Sequence, residues 1–186
     1  MPMDPVSAWV DAIAGLKPDG GKSGDWAKAL ADVVDQRVTS KAGVAGVMGS
    51  VSFTFQKALF ETGLKKASPT SVTLHGAMAI ADAWEMAATA STIVVPPGAS
   101  LGVASPATTW SVVISSIILP PSVALGKLAL MQTLASAAPV PDAKASLLGP
   151  ALYQAFAALL VSISGINSLA PPAGPTPLPL PSAPII

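Results

Sequence analysis

The sequence lacks cysteine altogether and contains a single histidine and a single tyrosine. Without cysteine there is no disulfide, no thiolate metal site and no cysteine nucleophile, and either a reducing or an oxidising compartment would suit the chain. One histidine cannot form a metal site alone. We therefore expect no metal and no cofactor.

The one histidine, His75, lies in a predicted helix. A Ser-His-Asp arrangement stays open as an alternative, because the members of a triad can be far apart in sequence. A helix residue whose ring is satisfied by a neighbouring group is the simpler interpretation. No set of residues in the sequence defines a reaction, so we expect a protein that is not an enzyme.

Charged residues are also scarce, at 11% of the chain, against about 25% in an ordinary soluble domain. The ten basic and ten acidic residues cancel, so no net field attracts nucleic acid and no nucleic-acid partner is expected. From Met86 onward only Lys127, Asp142 and Lys144 are charged. The first half of the chain is therefore predicted to face water, and the second half to be covered by protein.

Apolar residues are abundant, at 51%, and most of them recur at helical spacing. The first predicted helix has Asp4 as its N-cap and Pro5 as its first residue. The predicted helices cover residues 5–15, 23–40, 53–66, 70–91, 122–137 and 143–165. Residues 110–119 are rich in β-branched side chains and suit a strand as well as a helix.

Apolar stripes mark the faces that these helices should bury. They comprise Trp26, Leu30, Val33 and Val34 on the second helix, Phe53, Leu59, Phe60 and Leu64 on the third, Leu74, Met78, Ala81 and Trp84 on the fourth, and Leu148, Leu152, Phe156, Leu159 and Ile163 on the last. Gly149 and Pro150 are expected to kink or split the last helix. The sequence predicts a mainly α protein, a helical bundle of five to seven helices with a proline-rich extended C-terminal arm.

We expect residues 1–168 to form a single helical domain, with room for a sub-boundary near residues 96–106. Residues 169–186 form the predicted arm. Proline occupies seven of the last sixteen positions, which favours polyproline II and excludes a helix or an inner strand. Such a proline-rich tail is usually disordered, but this arm carries no charge and ends in two isoleucines. Two alternatives therefore stay open: a disordered arm, or an arm that docks along a groove of its own subunit or of a neighbour.

Two short patterns suggest chemistry. The stretch GLKPDGGKS resembles a phosphate-binding loop, but five residues separate Gly15 from Gly21 instead of four, and a helix precedes them, which favours a helix–helix turn. Asp82 and Glu85 lie three apart on one predicted helix face. No second carboxylate pair completes a metal cage there, and a solvated face or a salt bridge to a neighbouring subunit is the better interpretation.

A membrane protein is the alternative, because residues 147–166 are twenty residues without charge and residues 110–130 are nearly as apolar. Polar residues within 147–166, and Pro120 and Pro121 in the middle of 110–130, weaken this alternative. The N-terminal stretch has no basic region followed by an apolar one, so no secretory signal peptide is expected.

Double prolines follow three apolar segments, in VVPPGAS, ILPPS and LAPPAGP. Aligning AIADAWEMAATAS with ALYQAFAALLVSISG matches Trp84 with Phe156, which is suggestive of a duplication without establishing one. Each double proline ends an apolar helix or strand, and the chain that follows it is expected to be extended. Small alanine-rich helices that end abruptly suit close packing of many helices.

Ala-rich helices of this type followed by VVPPGAS or LAPPAGPTPLPLPS resemble small structural proteins of tailed-phage virions and related injection particles. The resemblance covers residues 70–186 and implies a virion-associated or particle-associated, non-enzymatic component that contacts copies of itself and other structural proteins of the particle. The uncharged second half of the chain favours the same role, because so little charge is typical of buried surface. The residues expected to make these contacts are Trp84, Pro96, Pro97, Trp110, Phe156, Pro171, Pro172, Ile185 and Ile186.

Overall fold

A computed structural model of the chain describes residues 3–16, 23–39, 42, 47–48, 52–67, 74–94, 100–101, 110–111, 117–135, 144–162, 164–167, 176–179 and 183–184. Within these residues the protein is mainly helical. The six helices are α1 (Val6–Ala14), α2 (Ser23–Val38), α3 (Lys57–Ala67), α4 (Leu74–Thr89), α5 (Pro120–Ala135) and α6 (Lys144–Ala157). The prediction of a mainly α bundle with five to seven helices is confirmed.

Short antiparallel strands lie between some of the helices and after α6. They are β1 (Val47–Met48), β2 (Ser52–Thr54), β3 (Thr92–Val94), β4 (Ser100–Leu101), β5 (Trp110–Ser111), β6 (Ile117–Ile118), β7 (Leu160–Ser162), β8 (Ser164–Asn167), β9 (Thr176–Pro179) and β10 (Ala183–Pro184). Strand β2 pairs with β3, and β1 pairs with β4. The two three-stranded sheets have the orders β10-β7-β6 and β5-β8-β9.

Two of the helix pairs have the same topology. Strands β2 and β3 flank α3 and α4 and pair antiparallel, and strands β6 and β7 flank α5 and α6 and do the same. Each unit is thus a pair of helices whose two flanking strands pair with each other. The sequence comparison of Trp84 with Phe156 pointed to the same two helices, α4 and α6.

The helices pack in chain order around one core. Each helix contacts the next one in sequence, and α6 returns to α1, so that the six close into a ring. Phe156 on α6 is the centre of the aromatic cluster, with ring centroids 5.3–6.4 Å from those of Trp9, Phe53, Phe55 and Trp84. These distances are typical of favourable edge-to-face and tilted aromatic pairs.

Glycine allows the closest helix contacts. A Cβ added at Gly126 on α5 would overlap Cη2 of Trp84 and lie 2.7 Å from the carbonyl oxygen of Ala155. Added at Gly63 on α3, it would lie 2.7 Å from Cβ of Ala83. Gly63 therefore lets α3 lie close to α4, and Gly126 lets α5 lie close to both α4 and α6.

Several boundaries differ from the sequence prediction. The N-cap of α1 is Pro5 and not Asp4, and Pro5 has extended backbone angles. The Asp4 carboxylate lies 2.7 Å from Nη1 of Arg37 on α2. The third helix begins at Lys57, because Phe53 lies on strand β2 and is its one buried residue. Pro150 lies inside α6, which continues through it as one helix.

The buried faces agree with the predicted stripes in most positions. Leu30, Val34, Phe60, Leu64, Ala81, Trp84, Leu148, Leu152, Phe156 and Leu159 are buried. Leu59 and Met78 were predicted to be buried and are exposed. The ambiguous stretch 110–119 contains strands β5 and β6, as its β-branched residues favour.

Among the described residues, no helix is long and apolar enough to cross a membrane. The candidate span 147–166 contains the end of α6 and then turns into β7 at Leu160, and the candidate span 110–130 divides into two short strands and part of α5. Within the described arm, residues 176–179 and 183–184 form strands paired with β8 and β7 of the same chain.

Candidate functional site

The outer side of α4 and α5 exposes four large apolar side chains. Met78 and Met86 on α4 are 43% and 49% exposed, and Leu125 and Leu128 on α5 are 58% and 43% exposed. The helices α4 and α5 pack directly against each other. We call these four residues the outer apolar face. A contiguous patch of exposed apolar residues is typical of an interaction surface, whereas single ones are normal on a monomer. These four are the candidate because they lie on two helices that pack together.

An ion cluster joins the same two helices. Nζ of Lys127 on α5 lies 2.6 Å from Oδ1 of Asp82 and 2.6 Å from Oε2 of Glu85 on α4. The hydrogen bond to Asp82, followed by the one to Glu85, raises the pKa of Lys127. Asp82 and Glu85 therefore form salt bridges within one chain, whereas the sequence led us to expect a solvated face or a salt bridge to a neighbouring subunit.

The position of this cluster follows from the packing of α5. Gly126 lets the α5 backbone approach Trp84 of α4 and the backbone of α6, and Lys127, the next residue along α5, then meets the carboxylates of α4. The residue that follows it, Leu128, lies on the exposed side of the helix. One close contact thus fixes which side chains of α5 face the ion cluster and which face solvent.

Two of the residues that were predicted to contact partners lie in the core and not on the surface. Trp84 and Phe156 are fully buried in the core of a single chain, with ring centroids 5.6 Å apart. The indole N–H of Trp84 has no hydrogen-bond acceptor among the described residues, so the ring contributes by packing. Neither side chain has surface for a partner, because each is enclosed by the apolar stripes of neighbouring helices, and the prediction is corrected for both.

The other predicted contact residues fall largely outside the described residues, namely Pro96, Pro97, Pro171, Pro172, Ile185 and Ile186. The backbone of Trp110 lies in β5, opposite Asn167 of β8. Their contacts with partners stay predictions. The sequence argument did not identify Met86, Leu125 and Leu128, because an exposed apolar residue on an Ala-rich helix has no distinctive spacing.

The candidates for chemistry remain isolated. In the described part of the chain, no three His, Asp or Glu side chains cluster as a metal site. Residues 17–22, in the stretch that resembles a phosphate-binding loop, lie outside the described residues. The side chain of His75 lies outside them as well. Gly98, Ser100 and Gly102 have the spacing of a nucleophile elbow, but Ser100 lies in strand β4, which pairs with β1, whereas that motif requires a turn from a strand into a helix.

A second candidate surface is the edge of the strands that follow α6. Strands β7 and β8 have β6 and β5 along one edge, and β10 and β9 along the other. The register places Thr176 opposite Asn167 and Ala183 opposite Val161. The C-terminal segment therefore supplies one of the two edge strands of each three-stranded sheet.

Comparisons with known proteins give no match: no family model, no curated protein and no solved structure is significantly similar to this chain.

Proposed function

We propose that this protein is a structural, non-enzymatic subunit of a large assembly, a component of a virion or of a phage-tail-like particle, that contacts copies of itself and other structural proteins. The observation that carries the assembly role is the outer apolar face of α4 and α5. The resemblance of the Ala-rich, proline-terminated segments to virion proteins supports the kind of assembly.

The energetics of the outer apolar face favour a covering partner. Burying a leucine or methionine side chain completely is worth about 1.5–3 kcal/mol, and these four are about half exposed. Each therefore has about 1 kcal/mol to gain from a neighbour. The aromatic residues already fill the core of one chain, so the monomer does not depend on the outer apolar face for its stability.

The ion cluster suits the rim of such a contact. Lys127 is paired within its own chain, so covering the face does not bury an unpaired cation, which would be costly. Asp82 is 60% exposed in its side chain and can stay in contact with water at the edge of the interface, where charged groups are usually found.

The first test is the size of the full chain, purified without detergent. The proposal predicts particles far heavier than the 18.5 kDa monomer in sedimentation velocity, and regular assemblies in electron micrographs. A chain that sediments as a monomer, or that stays dispersed only in detergent, would contradict it.

The second test addresses the face itself. Leu128→Gln should weaken association about fivefold per contact, because about 1 kcal/mol of apolar burial is lost. Val94→Gln on β3 is the control, because Val94 is also an exposed apolar residue, at 56%, and lies outside α4 and α5, and it should leave association unchanged. Equal sedimentation of both variants and the natural chain would exclude this face as the contact.

The arm is expected to contribute to assembly as well. Deleting residues 171–186 should leave the helical circular dichroism largely intact, because the last described helix ends at Ala157, and should reduce the particle size. An unchanged size in sedimentation would show that the arm has no part in assembly.

A further inference from the structure

The side of α5 that faces solvent carries a stripe of mostly apolar residues along the helix. The stripe, which we call the α5 seam, consists of the exposed residues Pro121, Leu125, Leu128, Gln132 and Ala135. They follow one another at intervals of four, three, four and three residues. This alternation places side chains along one line of a helix, as at the contact between two helices of a coiled coil. The spacing therefore favours another helix as the occupant of the seam.

The rest of α5 already lies in the core. Its buried residues are Ser122, Val123, Gly126, Leu130 and Leu134. The helices that pack against α5 are α4 and α6. In the α5 seam, by contrast, Leu125 is 58% and Leu128 43% exposed. A helix that is apolar all round is normally buried all round, so the seam is the side of α5 that we expect a neighbour to cover.

Charge decides what kind of neighbour fits the α5 seam. Lys127 is the one charged residue of α5, and its ammonium group is held by Asp82 and Glu85 of its own chain. Helices that bind lipid surfaces are usually rich in lysine or arginine, and a strongly charged protein finds no opposite charge on the seam. A second copy of α5 brings no like charge into the contact, so no charge repulsion opposes the approach of two seams.

The α5 seam is complementary to itself when two copies run antiparallel. A two-fold axis midway between Leu125 and Leu128 places Leu125 of each copy opposite Leu128 of the partner subunit. The same axis places Pro121 opposite Gln132 of the partner subunit. The leucines then form the centre of the contact, and the glutamines lie toward its ends, where their amide groups keep hydrogen bonds to water. An apolar centre with a polar rim is the usual arrangement of an interface between proteins.

The backbone of α5 is fixed in the middle of the seam. A Cβ added at Gly126 would overlap Trp84 of α4 and lie 2.7 Å from the carbonyl oxygen of Ala155 on α6. Nζ of Lys127 lies 2.6 Å from carboxylate oxygens of two α4 residues. The leucines on either side of these two residues therefore have a defined position before a partner binds. A surface that is already ordered loses less conformational entropy on binding.

We propose that α5 pairs antiparallel with α5 of a second copy, about a two-fold axis between Leu125 and Leu128. This inference rests on the proposed function, because it needs copies of the chain as neighbours and names the one that covers the α5 part of the outer apolar face. A two-fold contact uses the same surface on both copies and closes at two. The dimer is then the unit of the assembly, and the particle grows from it through other surfaces.

Engineered cysteines test this register, because the natural chain has none. Pro121→Cys and Gln132→Cys are made in separate full-length chains, which are co-expressed, purified and oxidised. Packed helices lie about 8–10 Å apart, which brings facing Cα atoms into the range that a disulfide spans. The proposal predicts a covalent dimer with one chain of each kind on a non-reducing gel. Either variant alone should stay a covalent monomer, because its two cysteines lie about 16 Å apart along the antiparallel pair.

The matched control moves one cysteine off the seam. Lys28→Cys on α2 is at an exposed position, and it replaces Pro121→Cys in the control mixture, which should give no mixed dimer. Covalent dimers from either seam variant alone would show a parallel pairing or another contact and would overturn the proposal.

The same material separates the pairing from the proposed function. No covalent dimer from chains that sediment as particles overturns the pairing and leaves the proposed function standing. A mixed dimer from chains that sediment no further than a dimer supports the pairing and contradicts the particle. Chains that sediment as a monomer contradict the pairing and the proposed function together.

Opposite charges in the seam give an independent test, measured by sedimentation equilibrium. Leu125→Lys and Leu128→Glu each place an unpaired charge in the contact, and each alone should weaken association about tenfold or more. In an equal mixture the new ammonium and carboxylate groups lie opposite each other, so the mixture should associate more tightly than either variant. Leu125→Lys mixed with Thr62→Glu, at an exposed position on α3, is the control and should show no such gain. A seam mixture that associates no more tightly than its components would overturn the register.

Discussion

At the scale of single residues, Phe156 has the most consequential position. Its ring is buried and contacts four other aromatic rings, on α1, on α4, on β2 and at Phe55 beside α3. Phe156→Ala should lower the free energy of unfolding by about 3–5 kcal/mol, the usual cost of removing a core phenylalanine. Denaturant unfolding followed by circular dichroism measures it. Tyr153→Leu, one turn away and half-buried, is the control and should cost about 1 kcal/mol.

The glycine of α5 provides a second prediction. Gly126→Ala places a methyl group against Trp84 and the backbone of α6, and overpacking of this kind costs about 1–3 kcal/mol, offset by about 1 kcal/mol of helix propensity. Gly15→Ala is the matched control, since its nearest neighbours would be 3.6 Å away. A thermal midpoint of Gly126→Ala at or above that of Gly15→Ala would contradict the packing described.

Lys127 provides a prediction about pH. Its pKa is raised by the hydrogen bonds to Asp82 and Glu85, so its contribution to stability is complete below the unfolded pKa of about 10.4 and is lost as pH rises through the higher folded pKa. Lys127→Met should therefore cost up to about 1 kcal/mol at pH 7, and this difference should shrink above about pH 10.5. Urea unfolding across that range checks it, with the exposed Lys28→Met as control; a difference that grows with pH would refute the linkage.

At the scale of elements, the helices could be predicted because their apolar residues recur every three or four positions over ten residues or more. Apart from β5 and β6, in the β-branched stretch 110–119, the strands could not be predicted, since segments of two to four residues are too short for an alternating pattern. Lys127 lies 42 residues from Glu85, and their pairing depends on how α5 packs on α4, which no local pattern contains. The exposure of Met78 was missed for the same reason.

The edge strand β9 gives a prediction at this scale. Pro177→Val with Pro179→Val restores two N–H donors on the outer edge of β9, and an unprotected edge is a template for further strands. We expect larger and less uniform particles, measured by light scattering and by thioflavin fluorescence. Leu178→Val changes no donor and is the control. Particles of unchanged, uniform size would show that the prolines do not limit the sheet.

At the scale of the whole molecule, the exposed surface differs from helix to helix. The ion pairs Asp32–Lys57 and Glu61–Lys65 lie on α2 and α3, while the exposed side of α5 presents Leu125 and Leu128. Contacts through the exposed apolar side of α5 should depend little on ionic strength, because screening weakens charge pairs and leaves apolar burial intact.

The salt concentration therefore distinguishes contacts made by charge pairs from contacts made by apolar burial. Particle size in sedimentation should stay constant between 0.05 and 1 M sodium chloride, roughly the range over which the Debye length falls from above 10 Å to 3 Å. Substitution of Lys57 by methionine, on α3, should not alter the size at any salt concentration. Dissociation at high salt would show that charge pairs, and not the apolar face, hold the assembly together.

The ring of helices also has a consequence during synthesis. Trp9 of α1 emerges first, yet its aromatic partners Tyr153 and Phe156 belong to α6, which emerges last among the helices. At about 5–20 residues per second, the ribosome needs on the order of ten seconds or more to deliver them. Throughout that interval the nascent chain carries an uncovered tryptophan, so α1 is the segment that a chaperone would be expected to hold until the ring can close.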